Sequence, residues 1–255
     1  MTTPDRLVLT VYAPALAGND SRALAAVHGM EQALPGLHLA WRVTGGRRLA
    51  ALAQRDAWLA EKIKNGGFPL VCNGDENSPV TVMGRENSGL FSPGGQALFE
   101  VHAKLPLDAA VIAAAAEMLG RVAEGTGAFW GRATPHDAAV DIAYQTAPTL
   151  EGPPAPRRGL PALKLFEHIH SPEVPYYLGW LNYWSEAAAR AIGFPDLARD
   201  TDLLSRSQRS ASGGWVVQLT DAPLDLDNPT HLEALLRGYE RFPEIGGRSA
   251  PGPLR

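Results

Sequence analysis

The sequence predicts an α+β fold, in which a mixed, largely antiparallel sheet carries helices packed mainly on one face. Strand-like and helix-like stretches alternate along the chain, with long excursions between them. The strand-like runs alternate apolar and polar residues imperfectly, which favours a sheet with one face covered by helices. The chain has 255 residues, of which 45% are hydrophobic, enough for a full core.

The N-terminal half begins with a predicted buried strand at residues 6–13, RLVLTVYA, which ends at Pro14. A helix follows, with cap chemistry at residues 19–21, a stop at Pro35 and Gly36, and apolar residues at near-helical spacing: Leu24, Val27, Met30 and Leu34. Further strands are predicted at residues 37–43, 68–73, 79–84 and 97–105, and a short helix at 55–64.

The strongest predicted helix of this half is residues 107–125, LDAAVIAAAAEMLGRVAEG, with Asp108 at its start. One apolar stripe runs along it, formed by Val111, Ala115, Met118 and Val122 and broadened by Ile112 and Leu119. Its many alanines would let it lie close to a sheet.

The C-terminal half is predicted to contain a strand at residues 176–185, a helix at 185–192 and a short helix within 193–206. The clearest strand of this half is residues 213–220, GGWVVQLT. An amphipathic helix follows, capped by Asn228 with Pro229 in its first turn, and its core-facing residues are Leu232, Leu235, Leu236 and Tyr239.

Proline is concentrated in residues 148–165, between these two halves. Such a segment is either a linker or an ordered strap across the surface, because each proline fixes φ and removes a hydrogen-bond donor. We expect residues 1–255 to form one domain with this strap or linker inside it.

The two halves share a layout of strand, Ala-Pro, short loop, Asn and helix. Pro14 precedes Asn19 by the same interval that separates Pro223 from Asn228. This layout indicates either an internal repeat or the ordinary residue preferences of strand–loop–helix units.

Charge and cysteine content indicate a cytoplasmic protein. The net charge is −4, without a strong basic patch, so direct nucleic-acid binding is not expected. Cys72 is the sole cysteine, which excludes an intrachain disulfide and favours a reducing compartment. We find neither a signal-peptide pattern nor an apolar run near the ~18 to 20 residues of a membrane span, so no membrane association is expected.

Signals for catalysis are weak. His168 and His170 would share a face on a strand and could supply two metal ligands, the basis of an alternative reading as a small cytosolic metal-dependent hydrolase. Cys72 lacks a nucleophile motif, and a lone cysteine in an apolar strand is usually a core residue. The glycines form no phosphate loop. We therefore predict a protein that is not an enzyme and has no cofactor.

An aromatic run in residues 176–184 is unusual in a chain with 7% aromatic residues; it comprises Tyr176, Tyr177, Trp180, Tyr183 and Trp184. Such residues form either a core strand or the anchors of a protein interface. We expect Trp180 and Trp215 to be structural, because both lie in apolar strand-like runs.

Two motifs carry a family resemblance. The first is GWLNYWS, with Gly179, Trp180 and Tyr183; the second runs from GGWVVQLTDAPLDLDNPTH onward, with Gly213, Gly214, Thr220, Asp225, Asn228, Pro229 and His231. Together they make the chain resemble bacterial immunity proteins of polymorphic toxin systems. It looks most like the immunity protein 52-like family and its paralogues, usually paired with restriction-endonuclease-like nuclease toxins.

This resemblance implies an α+β protein without catalytic activity that binds and neutralises a cognate toxin, expected to be a nuclease, in competition between bacteria. Acidic loops suit a nuclease cleft built to receive phosphates. The predicted toxin-binding residues are Asp75, Glu76, Tyr176, Tyr177, Tyr183, Asp221, Asp225 and Asp227. A binding module with an unrelated partner is a third reading, and self-association stays open.

Overall fold

The computed structural model describes residues 5–17, 20–45 and 48–248. Ten strands in those ranges form one antiparallel sheet in the order β3-β2-β4-β5-β6-β1-β7-β8-β10-β9. The strands are β1 Arg6–Pro14, β2 Trp41–Val43, β3 Leu49–Ala51, β4 Gly67–Cys72, β5 Thr81–Asn87, β6 Leu98–Pro106, β7 Trp130–Pro135, β8 Leu181–Trp184, β9 Ser207–Arg209 and β10 Trp215–Gln218.

Seven α-helices are found in the same ranges: α1 Arg22–Ala33, α2 Arg55–Lys62, α3 Ala109–Thr126, α4 His136–Thr146, α5 Glu186–Ala191, α6 Thr201–Ser205 and α7 Pro229–Arg241. The α+β class with an antiparallel sheet is confirmed. No described helix has the length and apolar character needed to cross a bilayer.

The first face of the sheet is apolar at its centre and is covered by the two longest helices of the N-terminal half. Strand β1 buries four alternate side chains there, those of Leu7, Leu9, Val11 and Ala13. Helix α3 contacts β1, β7, β8 and β10, and α1 packs against α3. The predicted stripe of α3 is buried at Val111, Ala115, Met118 and Val122.

Glycines allow α1 and α3 to approach closely. A Cβ on Gly29 of α1 would lie 3.1 Å from the backbone carbon of Arg121, and one on Gly125 of α3 would lie 3.1 Å from the carbonyl oxygen of Ala25. The helix pair therefore packs backbone against backbone at these two positions.

The second face carries a row of tryptophans. Trp130, Trp184 and Trp215 are register partners on β7, β8 and β10 and share this face. Phe242, which follows α7, packs edge-on against Trp184 at 5.2 Å between ring centroids. The aromatic run of the sequence is thus mostly core, and helix α7 covers part of this face.

The proline-rich segment is an ordered strap along α4. The side-chain nitrogen of Gln145 donates to the carbonyl oxygens of Pro154 and Pro156, at 3.1 and 2.8 Å. Leu160 and Leu163 of the segment are buried. Strands from both sides of the strap join one sheet, because β7 pairs with β8.

The start of α1 and the extent of β2 differ from the predictions. Asn19 lies outside the described residues, and the side chain of Ser21, at the N-cap position of α1, makes no capping hydrogen bond. Asp20 takes that role, since its Oδ1 accepts from the backbone N–H of Arg22 at 2.9 Å. The strand predicted at residues 37–43 is shorter, because only Trp41–Val43 pairs in the sheet.

Candidate partner-binding site

Strand register places several acidic segments at one end of the sheet. One row of register partners crosses six strands in the order Val82, Ala103, Leu9, Ala133, Leu181 and Gln218. Just beyond this row lie residue 5 before β1, the loop between β4 and β5, the junction of β7 with α4, and the loop after β10. The chain therefore brings together segments that are up to about 220 residues apart in sequence.

A groove of about 350 Å³ opens at this end, and we call it the acidic groove. Its carboxylates come from three separate segments; they are Asp5, Asp137, Asp141, Asp225 and Asp227. Arg6, Arg158 and His136 also line it, so carboxylates outnumber the two arginines. Such a surface favours a cationic partner group.

Local structure fixes the carboxylates of α4. Strand β7 ends at Pro135 and α4 begins at His136, so Asp137 falls in the first helical turn. A carboxylate there is stabilised by the partial positive charge of the helix N-terminus. Asp141 lies one turn further along the same helix.

Arg158 of the strap forms hydrogen bonds to two of the segments that line the groove. Its guanidinium donates to Asp141 Oδ2 at 3.0 Å, to Asp227 Oδ1 at 2.7 Å and to the carbonyl oxygen of Leu226 at 3.0 Å. The hydrogen bond with Asp227 is the main cause that raises the pKa of Arg158 above its ordinary value. The proline-rich strap therefore holds helix α4 and the loop after β10 in one arrangement.

In the loop after β10, buried leucines alternate with exposed aspartates. Leu224 and Leu226 are buried, whereas Asp225 and Asp227 are exposed. Asp225 Oδ1 accepts from the backbone N–H of Asp227 at 2.9 Å, and the N–H of Asp225 donates to Nδ1 of His231 at 3.1 Å. This bonding needs His231 with its proton on Nε2, and it gives the loop a defined shape.

Asp221 lies earlier in the same loop and reaches further into solvent. Its side chain is 90% exposed and meets Arg206 only at 3.5 Å. A surface pair of this kind contributes little to stability. Asp221 is therefore available to an incoming partner.

The loop between β4 and β5 holds the other predicted acids. Asp75 Oδ1 accepts from the backbone N–H groups of Asn77 and Ser78, at 2.8 and 3.2 Å, so this carboxylate shapes its own turn. Glu76 is exposed beside it. Five strand spacings separate β5 from β10, so this loop lies roughly 24 Å from the loop after β10 at the same sheet end.

Comparison with known families matches residues 18–250 to the model described as domain of unknown function (DUF5953). The chain belongs to the DUF5953 family. None of the curated proteins matches this chain. Among solved structures, a T6SS protein of Pseudomonas aeruginosa has a similar fold, with a TM-score of 0.52 and 15% identity, over 93% of this chain and 76% of the other. At that identity the likeness concerns the fold alone.

The predicted tyrosines of this DUF5953 protein lie away from the acidic groove. Tyr176 is buried, donates to the carbonyl oxygen of Lys164 at 2.8 Å and stacks on Phe166. Tyr183 is also buried, with its hydroxyl 3.4 Å from that of Ser212. Tyr177 is half-buried under the guanidinium of Arg132, 4.4 Å from the ring centroid. Burial makes Tyr176 and Tyr183 scaffold residues rather than contact residues.

The two histidines considered for a metal site are not on a strand. His168 ends a short 3-10 helix, and His170 follows it in an irregular segment. In the part of the chain that the structure describes, no three His, Cys, Asp or Glu side chains are grouped to hold a metal ion. Cys72 is buried at the end of β4.

Asp5, Asp137, Asp141 and Arg158 were not predicted as site residues. Asp137 and Asp141 lie on α4, and this helix was not predicted because its sequence is only weakly amphipathic. The i, i+4 spacing of these two acids on a recognised helix would have placed both on one face. Arg158 comes into contact with Asp141 only because the strap packs against α4, which the sequence does not show.

Proposed function

We propose that this DUF5953 protein is an immunity protein that binds a cognate toxin and blocks its action, without catalytic activity of its own. The acidic groove carries the proposal, because five carboxylates from three segments lie together at one end of the sheet, and Arg158 holds two of them, Asp141 and Asp227, in place. The proposed partner is a nuclease toxin of the restriction-endonuclease-like class. Its cleft would offer cationic groups that normally bind phosphates, and the two proteins would meet in the cytoplasm.

Two further observations support this proposal. The motifs of residues 179–183 and 213–231 resemble those of immunity proteins. A T6SS protein of Pseudomonas aeruginosa has a similar fold, which is consistent with a role linked to secretion and competition between bacteria.

Binding would proceed in two stages under this proposal. Exposed acids, Asp221 and Glu76 among them, steer the encounter with a basic surface. The groove then receives a cationic side chain of the toxin between Asp137 and Asp225. Asp225 favours this step, because its carboxylate already accepts from the backbone N–H of Asp227 and so loses little conformational freedom on binding.

The deciding experiment is co-expression with a candidate nuclease toxin taken from a reading frame beside the gene. We expect cells to survive with the wild-type protein and purified toxin to lose its nuclease activity at a one-to-one ratio. Cells that die equally with and without the protein would refute the proposal for that pair. Turnover of nucleic acid, peptide or ester by the purified protein, abolished by one point substitution, would refute the absence of catalysis.

A matched pair of double variants tests the groove itself. Asp137→Asn with Asp225→Asn removes two groove charges, whereas Glu117→Gln with Glu186→Gln removes two exposed charges on α3 and α5. Only the groove variant should weaken toxin binding, by about 10-fold or more for two lost charge contacts. Equal binding by both variants would move the interface away from the acidic groove.

A further inference from the structure

A second cavity lies between α6 and α7 and has the opposite chemistry. Its volume is about 390 Å³, and it shares no lining residue with the acidic groove. Four arginines line it, namely Arg199, Arg206, Arg237 and Arg241. Its floor includes the aliphatic side chains of Leu203, Leu219 and Ala234.

Only one of these arginines has a buried carboxylate partner. Arg241 donates to both oxygens of Asp200, at 2.6 and 2.9 Å, and the Asp200 side chain is fully buried. Asp200 also accepts from the backbone N–H of Asp196 at 2.7 Å. This pair is already satisfied and joins α7 to the start of α6, so it forms a wall of the cavity.

Arg206 is the unsatisfied member. Its Nε is buried and has no hydrogen-bond partner among the described residues. Its terminal nitrogen Nη1 lies 3.5 Å from Oδ1 of the well-exposed Asp221, which is its one ion-pair partner among the described residues. A buried N–H of a guanidinium group without an acceptor is costly, because hydrogen bonds to charged groups are strong and their loss is not replaced by water.

Arg199 and Arg237 supply further free donors at the rim. The Arg199 side chain is exposed and makes no hydrogen bond within the described residues. Arg237 shares one exposed carboxylate, Glu233, at 2.8 Å. Asp202 and Glu240 also line the cavity but are exposed to solvent, so they do not neutralise its interior.

We propose that this cavity, with Arg206 and Arg199 as principal donors and Arg237 at the rim, binds the phosphate group of a small molecule. Three arginines on separate segments can surround a tetrahedral oxyanion, which offers more acceptor oxygens than one carboxylate does. A side-on contact through the Nε–H and one terminal N–H of Arg206 would give the orphaned Nε its missing acceptor. The site does not depend on the proposed toxin interaction.

Calorimetric titration at constant ionic strength tests the site, with inorganic phosphate as the first probe. We expect saturable binding by the wild-type protein and a dissociation constant about 10- to 100-fold weaker for Arg206→Ala, the range of one or two lost charge-assisted hydrogen bonds. Arg206→Lys should also weaken binding, because lysine keeps the charge but lacks the Nε–H fork. Arg190→Ala is the control, since Arg190 is exposed on α5 and pairs with Glu186.

Arg199→Ala guards against misfolding of the Arg206 variants, because the Arg199 side chain is exposed. It should retain the wild-type unfolding temperature in phosphate-free buffer and bind phosphate several-fold more weakly. A parallel titration with glycerol 3-phosphate shows whether the site prefers a phosphate ester or the free phosphate ion. Saturable binding of either one supports the site, and the tighter binder identifies the class of ligand. Absence of saturable binding, equal binding by all variants, or binding of citrate without phosphate would overturn the proposal.

Discussion

Trp180 shows how one side chain connects two parts of the C-terminal half. Its indole is 2% exposed, and its Nε1 donates to the carbonyl oxygen of Thr220 at 3.0 Å. Thr220 follows β10, so the tryptophan links the entry of β8 to the loop that carries the acidic residues.

Replacing Trp180 with alanine should lower the free energy of unfolding by about 3–5 kcal/mol, the usual loss for a fully buried large aromatic residue. Urea denaturation measures this. Trp41→Ala is the control, because Trp41 is 37% exposed on β2 and its loss should be well below half as large. Unchanged stability of Trp180→Ala, together with loss of toxin binding, would place Trp180 in the interface.

His102 on β6 should make the folding stability of the protein depend on pH. Burial lowers its pKa below the ordinary value of about 6.5, and the nearby cation Lys104 acts in the same direction while Glu100 opposes it. The folded state therefore favours the neutral ring, and the unfolded chain takes up the proton first as the pH falls. The contribution of His102 to the free energy of unfolding is therefore present above about pH 6.5 and is lost as the pH falls below that value.

His102→Gln isolates that contribution, since glutamine does not titrate. Between about pH 7 and 5, the unfolding free energy of the wild type should fall more steeply than that of the variant. Chemical denaturation at several pH values measures both slopes. Parallel curves would show that His102 does not contribute to the pH dependence.

At the element scale, α3 organises the N-terminal half. Its apolar stripe was predictable because the spacing of Val111, Ala115, Met118 and Val122 is strongly helical. The role of Gly125 was not, since only the packed pair of helices shows the backbone of α1 beside it.

Gly125→Ala should therefore destabilise the protein by about 1 kcal/mol, even though alanine favours a helix by about that much in isolation. Gly120→Ala in the same helix is the matched control. Its added Cβ would meet only a side-chain methyl of Val216 at 3.3 Å, so it should be neutral or stabilising. Thermal unfolding of both variants measures the difference, and equal effects would contradict backbone contact between α1 and α3.

Strand β7 and helix α4 were not predicted from the sequence, and neither were the short strands β3 and β9. Strand β7 contains Gly131 and Arg132 and ends in Pro135, so it lacks the β-branched run that marks a strand. It forms because β1 and β8 pair with it on both sides. Tertiary pairing here outweighs local propensity.

At the scale of the whole molecule, charge is distributed by the topology of the sheet. The acids of residues 73–80 and 221–227 are about 145 residues apart in sequence, yet the antiparallel register directs both loops to the same end. A partner that approaches this end would meet both.

Replacing Asp221 and Asp225 with Asn should slow association with the proposed toxin at low salt, and the difference from wild type should narrow as salt increases. Exposed charges act mainly through long-range steering, which counterions screen. Stopped-flow association rates at several salt concentrations test this. Rates identical to wild type throughout would show that this loop does not face the toxin.

The sequence by itself determined the α+β class, the strands at residues 6–13, 97–105 and 213–220, and the helices that became α1, α3 and α7. Their apolar periodicity is strong, and periodicity is a local property. It also identified the loop containing Asp225 and Asp227, because Asp and Asn favour turns and caps.

Only the tertiary structure decided between core and surface for the tyrosines, and between strap and linker for residues 148–165. Both outcomes depend on which segments pack together: Tyr176 is buried against Phe166, and Arg158 meets Asp141 and Asp227. The acidic groove and the arginine-lined cavity arise for the same reason, since each collects side chains from separated elements. Local patterns do not encode such contacts, because they are set by strand order and helix docking across the whole chain.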